Sequence, residues 1–537
     1  MKTLVIGLDA ACSRVVDPLI ERGALPHLAG LIGAGASGPL ESQIPPWTPS
    51  AWPSLYTGVN PGKHGVFDFL AFDGYDWDVI NATHVRFPAI WEVLSERGLR
   101  SVVVNVPVTH PPGEIDGAIV PGYTAPEEPA CHPEGILEEI REAIGEYRVY
   151  PPHGSGVDPE EAIANYRDLI ASRGAAFRYL CREFDPEFGF VEFQSTDTVF
   201  HELAGDSRGV EAVYRAVDRE VGSVLGATDP DTVFLVSDHG MGPYEEYEFR
   251  VNEFLRREGY VEAVSGREGG MPSWGTIHEH ERARTESPGT GALVESALSR
   301  AVLAGARVGL TSQRAHRLLD RVGLAESVAR VVPADLIRAA TEQVDFAGSA
   351  AYMRSRTELG VRINLAGREP EGVVAPEEYE SVREDLVEKL SAVRTPDGDP
   401  VFETVAPREE VFSGPYVEHA VDVVAVPQDY EQFISARLLG EPFGDPEEPW
   451  NHKRDGLFAA TGEGIDSGAD LTDAHLFDVA PTVLASLGVP RDERMDGRVL
   501  PVVEAVGTER YADIEGDRRR TDSRAVEDRL SQLGYLE

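Results

Sequence analysis

Leu4-Val-Ile-Gly-Leu-Asp9 is the stretch from which the fold of this chain can be predicted. An unbroken run of apolar residues with one glycine is typical of a strand buried on both faces of a parallel sheet. The run ends in a carboxylate, and open α/β sheets build their functional sites at the carboxyl ends of their strands. The stretch therefore predicts a central strand that delivers Asp9 to such a site.

Similar apolar runs recur along the chain and alternate with helical patterns. Residues 100–106 and 188–193 read as further strands, as does the apolar run that begins at Thr232 and ends in Asp238-His239, and helices are predicted between them. Strands that alternate with helices form the doubly wound pattern of a mostly parallel sheet. The fold class is therefore predicted to be α/β.

The composition changes once in the middle of the chain. Residues 264–343 are rich first in Gly, Ser, Arg and Glu and then in Ala and Arg, which predicts a helical insertion or cap. The catalytic core is then expected in residues 1–263 and 344–505. Residues 506–537 read as a charged, helical C-terminal tail.

The chain is strongly acidic. It carries 92 Asp and Glu against 49 Lys and Arg, a formal net charge of −43, and the acids are spread over its whole length. Such a surface repels nucleic acid polymers and anionic membranes, so neither is expected as a partner. We interpret the charge as the surface of a halophilic protein, with an acidic interaction surface as the alternative.

Cysteine use and hydropathy bear on the compartment. Three widely scattered cysteines, Cys12, Cys131 and Cys181, predict neither a disulfide framework nor a cysteine zinc site. The apolar run at the N-terminus is too short for a secretory signal, and no run approaches the ~18 apolar residues of a membrane helix. A soluble, cytoplasmic protein is expected.

The stretch around Thr48 (Ile-Pro-Pro-Trp-Thr-Pro-Ser-Ala-Trp, residues 44–52) offers a hydroxyl close to a predicted helix start. A threonine hydroxyl is a weak nucleophile that needs help, for example from a metal ion. The alternative is that Thr48 simply caps a helix that begins near Pro49.

Acids and histidines stand at the ends of the predicted strands. They are Asp9, Asp197 with His201, Asp238 with His239, and His452. The spacing of four between Asp197 and His201 places both on one face of a helical turn, and carboxylate and imidazole ligands suit a pair of divalent ions. Taken singly, Asp9 could cap a helix and His201 could be a packed core histidine.

The order Asp9, Thr48, Asp197/His201, Asp238/His239 and His452 resembles the alkaline phosphatase superfamily. It is closest to the type I phosphodiesterase/nucleotide pyrophosphatase branch and its phosphohydrolase or phosphomutase relatives. The supporting motifs are Gly7-Leu-Asp9, Pro61-Gly-Lys-His-Gly65, Ser237-Asp-His-Gly-Met241 and Asn451-His452. The resemblance covers nearly the whole chain except residues 264–343.

The resemblance implies a three-layer sandwich around a mostly parallel sheet, with helical cap insertions. One ion would be held by Asp197, His201 and His452. The other would be held by Asp9, Asp238 and His239, with Thr48 at the ion. The family usually employs zinc, and sometimes manganese or another divalent ion. The resemblance also implies that the substrate is a small phosphate ester and that its phosphoryl group is transferred to Thr48, which gives a phospho-threonine intermediate.

One motif departs from the family pattern. An asparagine that contacts the phosphoryl group is expected shortly after His64-Gly65, and Phe69 stands in its place. Lys63 or Asn105 could substitute for it, so Lys63, Phe69 and Asn105 are the candidate substrate-binding residues. The departure bears on nucleotide specificity more than on phosphoryl chemistry.

Three functional hypotheses follow from the sequence. The first is a two-metal phosphoric-ester hydrolase, of phosphodiesterase or nucleotide pyrophosphatase type. The second is a phosphotransferase or phosphomutase that uses the same Thr48 nucleophile. The third is a protein that binds a phosphorylated ligand without catalysis.

Overall fold

A computed structural model describes residues 1–152, 157–203, 206–265 and 342–512. The predicted cap, residues 264–343, lies outside the described residues except for two residues at each of its ends. Residues 513–537 of the predicted tail also lie outside them.

The structure has strands and helices in alternation over its first half. The described strands are β1 (Thr3–Leu8), β2 (Ala36–Glu41), β3 (Leu70–Asp73), β4 (Asp76–Val79), β5 (Ser101–Val104), β6 (Gly117–Val120), β7 (Phe188–Phe193), β8 (Thr232–Val236), β9 (Gly240–Pro243), β10 (Glu248–Arg250), β11 (Ala263–Ser265), β12 (Glu342–Val344), β13 (Ala351–Tyr352), β14 (Gly360–Ile363), β15 (Phe402–Pro407), β16 (Val423–Pro427), β17 (Phe433–Ser435), β18 (Phe443–Gly444), β19 (Trp450–Lys453), β20 (Asp455–Gly462), β21 (Arg491–Asp492) and β22 (Thr508–Glu509). The described α-helices are α1 (Ser13–Glu21), α2 (Pro26–Ala34), α3 (Thr48–Thr57), α4 (Pro61–His64), α5 (Ile90–Glu96), α6 (Ile136–Ile144), α7 (Pro159–Phe184), α8 (Ser195–Glu202), α9 (Ser207–Thr228), α10 (Val251–Arg257), α11 (Tyr379–Ser391), α12 (Arg408–Val411) and α13 (Val479–Ser486).

A seven-stranded sheet in the order β2-β20-β8-β1-β7-β5-β6 forms the centre of the molecule. Strand β1 pairs in parallel with β7 on one side and β8 on the other, with Thr3 opposite Phe188 and Thr232. Strand β20 runs antiparallel to both of its neighbours, β2 and β8. The predicted α/β class with a mostly parallel sheet is confirmed.

Both faces of this sheet are covered, which explains why its strands are apolar without alternation. Leu4, Ile6 and Leu8 of β1 belong to the core cluster that includes residues of α1, α2, α7 and α9. Val5, between them, belongs to the cluster on the opposite face, which includes residues of α3, α5 and α13. Helices, sheet and helices therefore form three layers.

A smaller antiparallel sheet, in the order β13-β14-β16-β15, lies beside the central sheet and has a core of its own. Helix α11 packs on it through Leu386 and Leu390, which are fully buried. The hairpin of β3 and β4 and helix α10 contribute residues to the same core. Among the described helices, none combines the length and the apolar composition needed to span a bilayer.

Candidate metal and active site

Three neighbouring strands bring three carboxylates to one edge of the central sheet. Asp9 directly follows β1, Asp238 follows β8 by two residues, and Asp197 lies in the first turn of α8, which begins just after β7. Because β7 and β8 flank β1 in parallel, these chain ends meet at the carboxyl edge. All three aspartates are buried.

The first candidate metal-binding arrangement consists of Asp197, His201 and His452. The Asp197 Oδ1 atom lies 3.2 Å from the Nε2 atoms of both His201 and His452. The two Nε2 atoms are 3.3 Å apart. Helix α8 supplies Asp197 and His201 one turn apart, as the spacing of four predicts.

A second arrangement surrounds His239. Its Nε2 atom lies 3.4 Å from Asp9 Oδ1 and 3.2 Å from Asp238 Oδ2. Asp9, Asp197 and His239 can offer ligand atoms that all lie within 4.8 Å of one another. Asp197 is therefore close to both arrangements. Asp238 is close to the second one, because its Oδ2 atom lies near His239 Nε2.

A short antiparallel ladder carries His452 into the cluster from a distant part of the chain. Strand β19 pairs with β9, and His452 lies opposite Met241, two residues beyond His239. The imidazole rings of His239 and His452 stack with their centroids 3.7 Å apart. The ladder thus joins the two arrangements into one cluster.

Thr48 lies at the start of helix α3 and faces the cluster. Its Oγ1 atom is 3.2 Å from His239 Nε2 and 3.5 Å from Asp9 Oδ1. The residue at the N-cap position is Trp47, and the side chains there make no capping hydrogen bond. The alternative that Thr48 serves as a helix cap is therefore wrong, because its hydroxyl contacts the metal-binding arrangement instead.

The electrostatics of the cluster show a deficit of positive charge. Burial, together with the charges of Asp238 and Asp197, raises the pKa of Asp9 well above its ordinary value. Burial and the charge of Asp197 do the same to the pKa of Asp238. Asp238 Oδ2 is also a buried oxygen without a hydrogen bond in the described structure. Crowded, desolvated carboxylates of this kind are stabilised by a bound cation.

Asp197 behaves differently because it faces two imidazoles. Burial acts to raise its pKa, but the charge and the hydrogen bond of His201 hold the pKa well below its ordinary value. Its carboxyl is therefore ionised and ready to act as a ligand.

The histidines present the ring nitrogen that a metal needs. His452 Nδ1 lies 3.0 Å from the carbonyl oxygen of Pro46, and His239 Nδ1 lies 3.1 Å from that of Gly240. A carbonyl oxygen only accepts, so each Nδ1 donates and each Nε2 keeps its lone pair toward the cluster. The residues present therefore fit divalent metal ions.

The three candidate substrate-binding residues lie in different places. Lys63 Nζ contacts Asp496 Oδ1 at 2.5 Å and the carbonyl oxygen of Arg494 at 2.8 Å. Phe69 is fully buried in the core of the smaller sheet. The amide of Asn105 donates to Glu192 Oε2 at 2.5 Å, and Glu192 in turn is buried close enough to Asp238 for their charges to interact. Of the three, Asn105 has contacts that lead toward the cluster.

Two supporting residues were missed by the sequence reasoning. Trp52 Nε1 donates a hydrogen bond of 3.0 Å to Asp9 Oδ2. Glu192 lies fully buried in β7, where burial raises its pKa well above its ordinary value. The available signal was a single acid in the otherwise apolar run Phe188-Gly-Phe-Val-Glu-Phe193.

Fold and site together define an α/β protein of the alkaline-phosphatase type with a candidate metal centre at the carboxyl edge of its sheet. A family model for type I phosphodiesterase / nucleotide pyrophosphatase matches residues 3–457. The chain belongs to this family, which is described by its phosphodiesterase and nucleotide pyrophosphatase activities.

Two solved structures of one enzyme, with TM-scores above 0.5, support the fold, and a third structure is also similar. Phosphonoacetate hydrolase from Sinorhizobium meliloti 1021 in complex with phosphonoformate is 15% identical, with a TM-score of 0.52 and coverage of 91% of this chain and 95% of that chain. Its complex with phosphonoacetate is 16% identical, with the same TM-score and coverage. Human ectonucleotide pyrophosphatase / phosphodiesterase 5 is 12% identical, covers 93% of this chain and 97% of its own, and has a TM-score of 0.49. Comparison with curated proteins gave no match.

Proposed function

We propose that this protein is a two-metal phosphodiesterase or pyrophosphatase that acts on a small-molecule substrate through Thr48. The observation that carries the proposal is the position of the Thr48 hydroxyl. It lies 3.2 Å from His239 Nε2 within a buried set of three carboxylates and three imidazoles. No structural role accounts for a buried cluster of so many acids.

The proposed ligand sets are those that the family resemblance implies. Asp197, His201 and His452 would hold one divalent ion, and Asp9, Asp238 and His239 the other, with Thr48 beside it. We propose zinc, with manganese as the alternative. Such ions polarise phosphoryl oxygens and lower the pKa of a nearby hydroxyl.

The side chains of the protein prepare Thr48 for attack on phosphorus. Its hydroxyl is fixed at the N-terminal end of helix α3, where backbone N–H groups favour a bound anion. Trp52 fixes the Asp9 carboxylate through its indole N–H, and burial of the cluster excludes bulk water. A phosphoryl group held here would lie against the hydroxyl in an orientation suited to displacement.

The proposed reaction has two displacements. The Thr48 oxygen forms a bond to phosphorus while the bond to the leaving alcohol or phosphate breaks, and the hydroxyl proton goes to the departing group. Water then displaces the Thr48 oxygen, which regenerates the hydroxyl and releases a phosphate monoester. Transfer to a different acceptor in the second step would make the protein a phosphotransferase.

The test uses the purified full chain with bis(p-nitrophenyl) phosphate and with p-nitrophenyl phosphate. We expect faster release from the diester, loss of activity after treatment with EDTA, and recovery with Zn²⁺ or Mn²⁺. Thr48→Ala should lower kcat by at least about 10³-fold, because the nucleophile itself is removed. Thr472→Ala, in an exposed loop, is the control and should keep full activity.

Two outcomes would count against the proposal. Full activity of Thr48→Ala would refute the nucleophile. Metal-dependent binding of a phosphate ester without turnover would favour the non-catalytic hypothesis.

A further inference from the structure

A separate cavity of about 340 Å³ lies against the hairpin of β3 and β4. None of the seven predicted metal or nucleophile positions lines it. Its volume falls in the range of pockets that hold small organic ligands, roughly 300–1,000 Å³. The cavity therefore calls for an explanation independent of the metal cluster.

The charged groups around this cavity are mostly acidic. Its lining contains five carboxylates, Asp68, Asp73, Asp76, Asp78 and Glu358, against one guanidinium, that of Arg86. Glu358 is paired with the buried Arg354, so four of the five carboxylates are left to set the charge of the cavity. Asp73 and Asp76 lie at the tip of the hairpin and are exposed, and the Arg86 side chain is exposed as well. The net charge favours a cationic occupant.

The two histidines of the lining do not change this balance. His84 Nδ1 accepts a hydrogen bond of 3.1 Å from the backbone N–H of Asn81, which an imidazolium could not do. Burial lowers the pKa of His419. The lowered pKa leaves the His419 ring uncharged near pH 7.

Asp68 supplies a buried carboxylate oxygen without a hydrogen bond of normal geometry. The residue is 1% exposed, and its Oδ1 atom accepts hydrogen bonds from Phe69 N, at 2.6 Å, and from Thr357 Oγ1. Its Oδ2 atom is buried and makes no hydrogen bond of normal geometry among the described residues, while the nearby Ser355 hydroxyl acts to lower the pKa of the carboxyl. A buried carboxylate oxygen left unpaired is costly, and a cationic or hydrogen-bond-donating ligand would relieve that cost.

Aromatic rings form the remainder of the wall. Phe67, Trp77 and Tyr416 line the cavity together with Phe72. The guanidinium carbon of Arg354 already lies 3.9 Å from the centre of the Phe72 ring, so one ring of this wall is stacked on a cation. Aromatic faces beside carboxylates are the surroundings in which proteins bind organic ammonium ions.

We propose that this cavity binds a small organic ammonium ion, with Asp68 as its buried counter-charge and Trp77 as an aromatic contact. An inorganic cation would use the carboxylates alone and leave the aromatic faces without a role, whereas an organic ammonium ion contacts both. The site goes beyond the proposed hydrolase function and does not depend on Thr48.

The test is isothermal titration calorimetry of the full chain at constant ionic strength and at about pH 8, because burial raises the pKa of Asp68 to about 7 and its carboxyl must be ionised. Tetramethylammonium is the probe, neopentyl alcohol is its neutral counterpart of similar shape, and CaCl₂ is the inorganic control. We expect the ammonium ion to bind at least about tenfold more tightly than the alcohol. Thr48→Ala should bind it as the wild type does, which separates this site from the catalytic proposal.

Variants locate the binding. Asp68→Asn should weaken the binding of tetramethylammonium about tenfold, and Trp77→Leu about threefold or more. Asp17→Asn, an exposed acid on helix α1, should leave it unchanged. If Asp68→Asn does not fold, as judged by circular dichroism, Trp77→Leu still decides the question. Equal binding of ammonium and alcohol, binding of Ca²⁺ alone, no heat with the wild type, or unaltered binding by both variants would overturn the proposal.

Discussion

Replacing Trp52 with phenylalanine tests how Asp9, a proposed metal ligand, is positioned. The indole N–H donates to Asp9 Oδ2 at 3.0 Å, and the ring is fully buried beneath the cluster. Phenylalanine keeps an aromatic ring in the same core and removes only the donor and part of the volume. The carboxylate then loses the hydrogen bond that fixes its orientation.

The expected magnitude comes from the type of bond. A hydrogen bond to a charged group contributes about 1.5–3 kcal/mol. If that energy is lost only in the metal-bound form, affinity at this site falls by roughly 10–100-fold. We expect Trp52→Phe to need correspondingly more Zn²⁺ or Mn²⁺ for half-maximal activity, while kcat at saturating metal changes much less.

The assay is a metal titration of the EDTA-treated enzyme with bis(p-nitrophenyl) phosphate, repeated by calorimetry without substrate. Trp91→Phe is the matched control. Trp91 is 4% exposed and lies in the same core cluster, and both indoles contact the ring of Phe190, with centroids 6.0 Å away for Trp52 and 6.4 Å for Trp91. It therefore reports the cost of the smaller ring without a change at Asp9.

The metal affinities of Trp52→Phe and Trp91→Phe show whether the hydrogen bond to Asp9 positions this residue. If Trp52→Phe and Trp91→Phe bind metal with the same affinity, the hydrogen bond does not position Asp9 and the reasoning is refuted. Equal melting temperatures of the metal-free variants would show that the difference in metal affinity is local.

Three further predictions concern pH, salt and Lys63. Burial raises the pKa of Asp68 to about 7, above its value in the unfolded chain, so the contribution of this group to stability is lost as the pH rises through 7. Relative to Asp68→Asn, the wild type should therefore lose roughly 2–3 kcal/mol of unfolding free energy between pH 5 and pH 8, as measured by urea denaturation. A difference between the two proteins that stays constant with pH would contradict this. With a net charge of −43, the free energy of unfolding should rise from 0.1 M to about 2 M KCl as repulsion is screened, and a flat or falling curve would argue against the halophilic interpretation. Because Lys63 contacts Asp496 and Arg494, Lys63→Met should reduce stability by up to about 1 kcal/mol and leave kcat/KM within about twofold; a larger kinetic effect would support a role in substrate binding.

The sequence alone was enough to predict the layers of the fold. Continuous apolar runs, such as Phe188–Phe193, become strands buried on both faces, because only a sheet with helices on both sides has no polar face. The same rule places carboxylates at strand ends, so Asp9 and Asp238 could be selected as candidate ligands before any geometry was known.

Local sequence could not assign the surroundings of these residues. Glu192 and Trp52 support the cluster from inside a strand and a helix. The sequence around Glu192 reads as core, and Trp52 reads equally as core or as the lining of an apolar pocket for the leaving group. The cavity beside Asp68 is formed where the hairpin of β3 and β4 meets the segment around Glu358, and the hairpin and this segment are far apart in the chain. Neither feature leaves a periodic pattern in one segment.

The sequence determined which residues have the chemistry to bind a metal, because carboxylates at the ends of apolar strands and a histidine four residues after an aspartate are local patterns. Tertiary structure decided how they meet. The strand order places β1 between β7 and β8, and the pairing of β19 with β9 brings His452 to within ring-stacking distance of His239. Strand order and long-range pairing depend on packing over the whole chain, and this is why Thr48 could be read as a helix cap until its hydroxyl was seen beside Asp9 and His239.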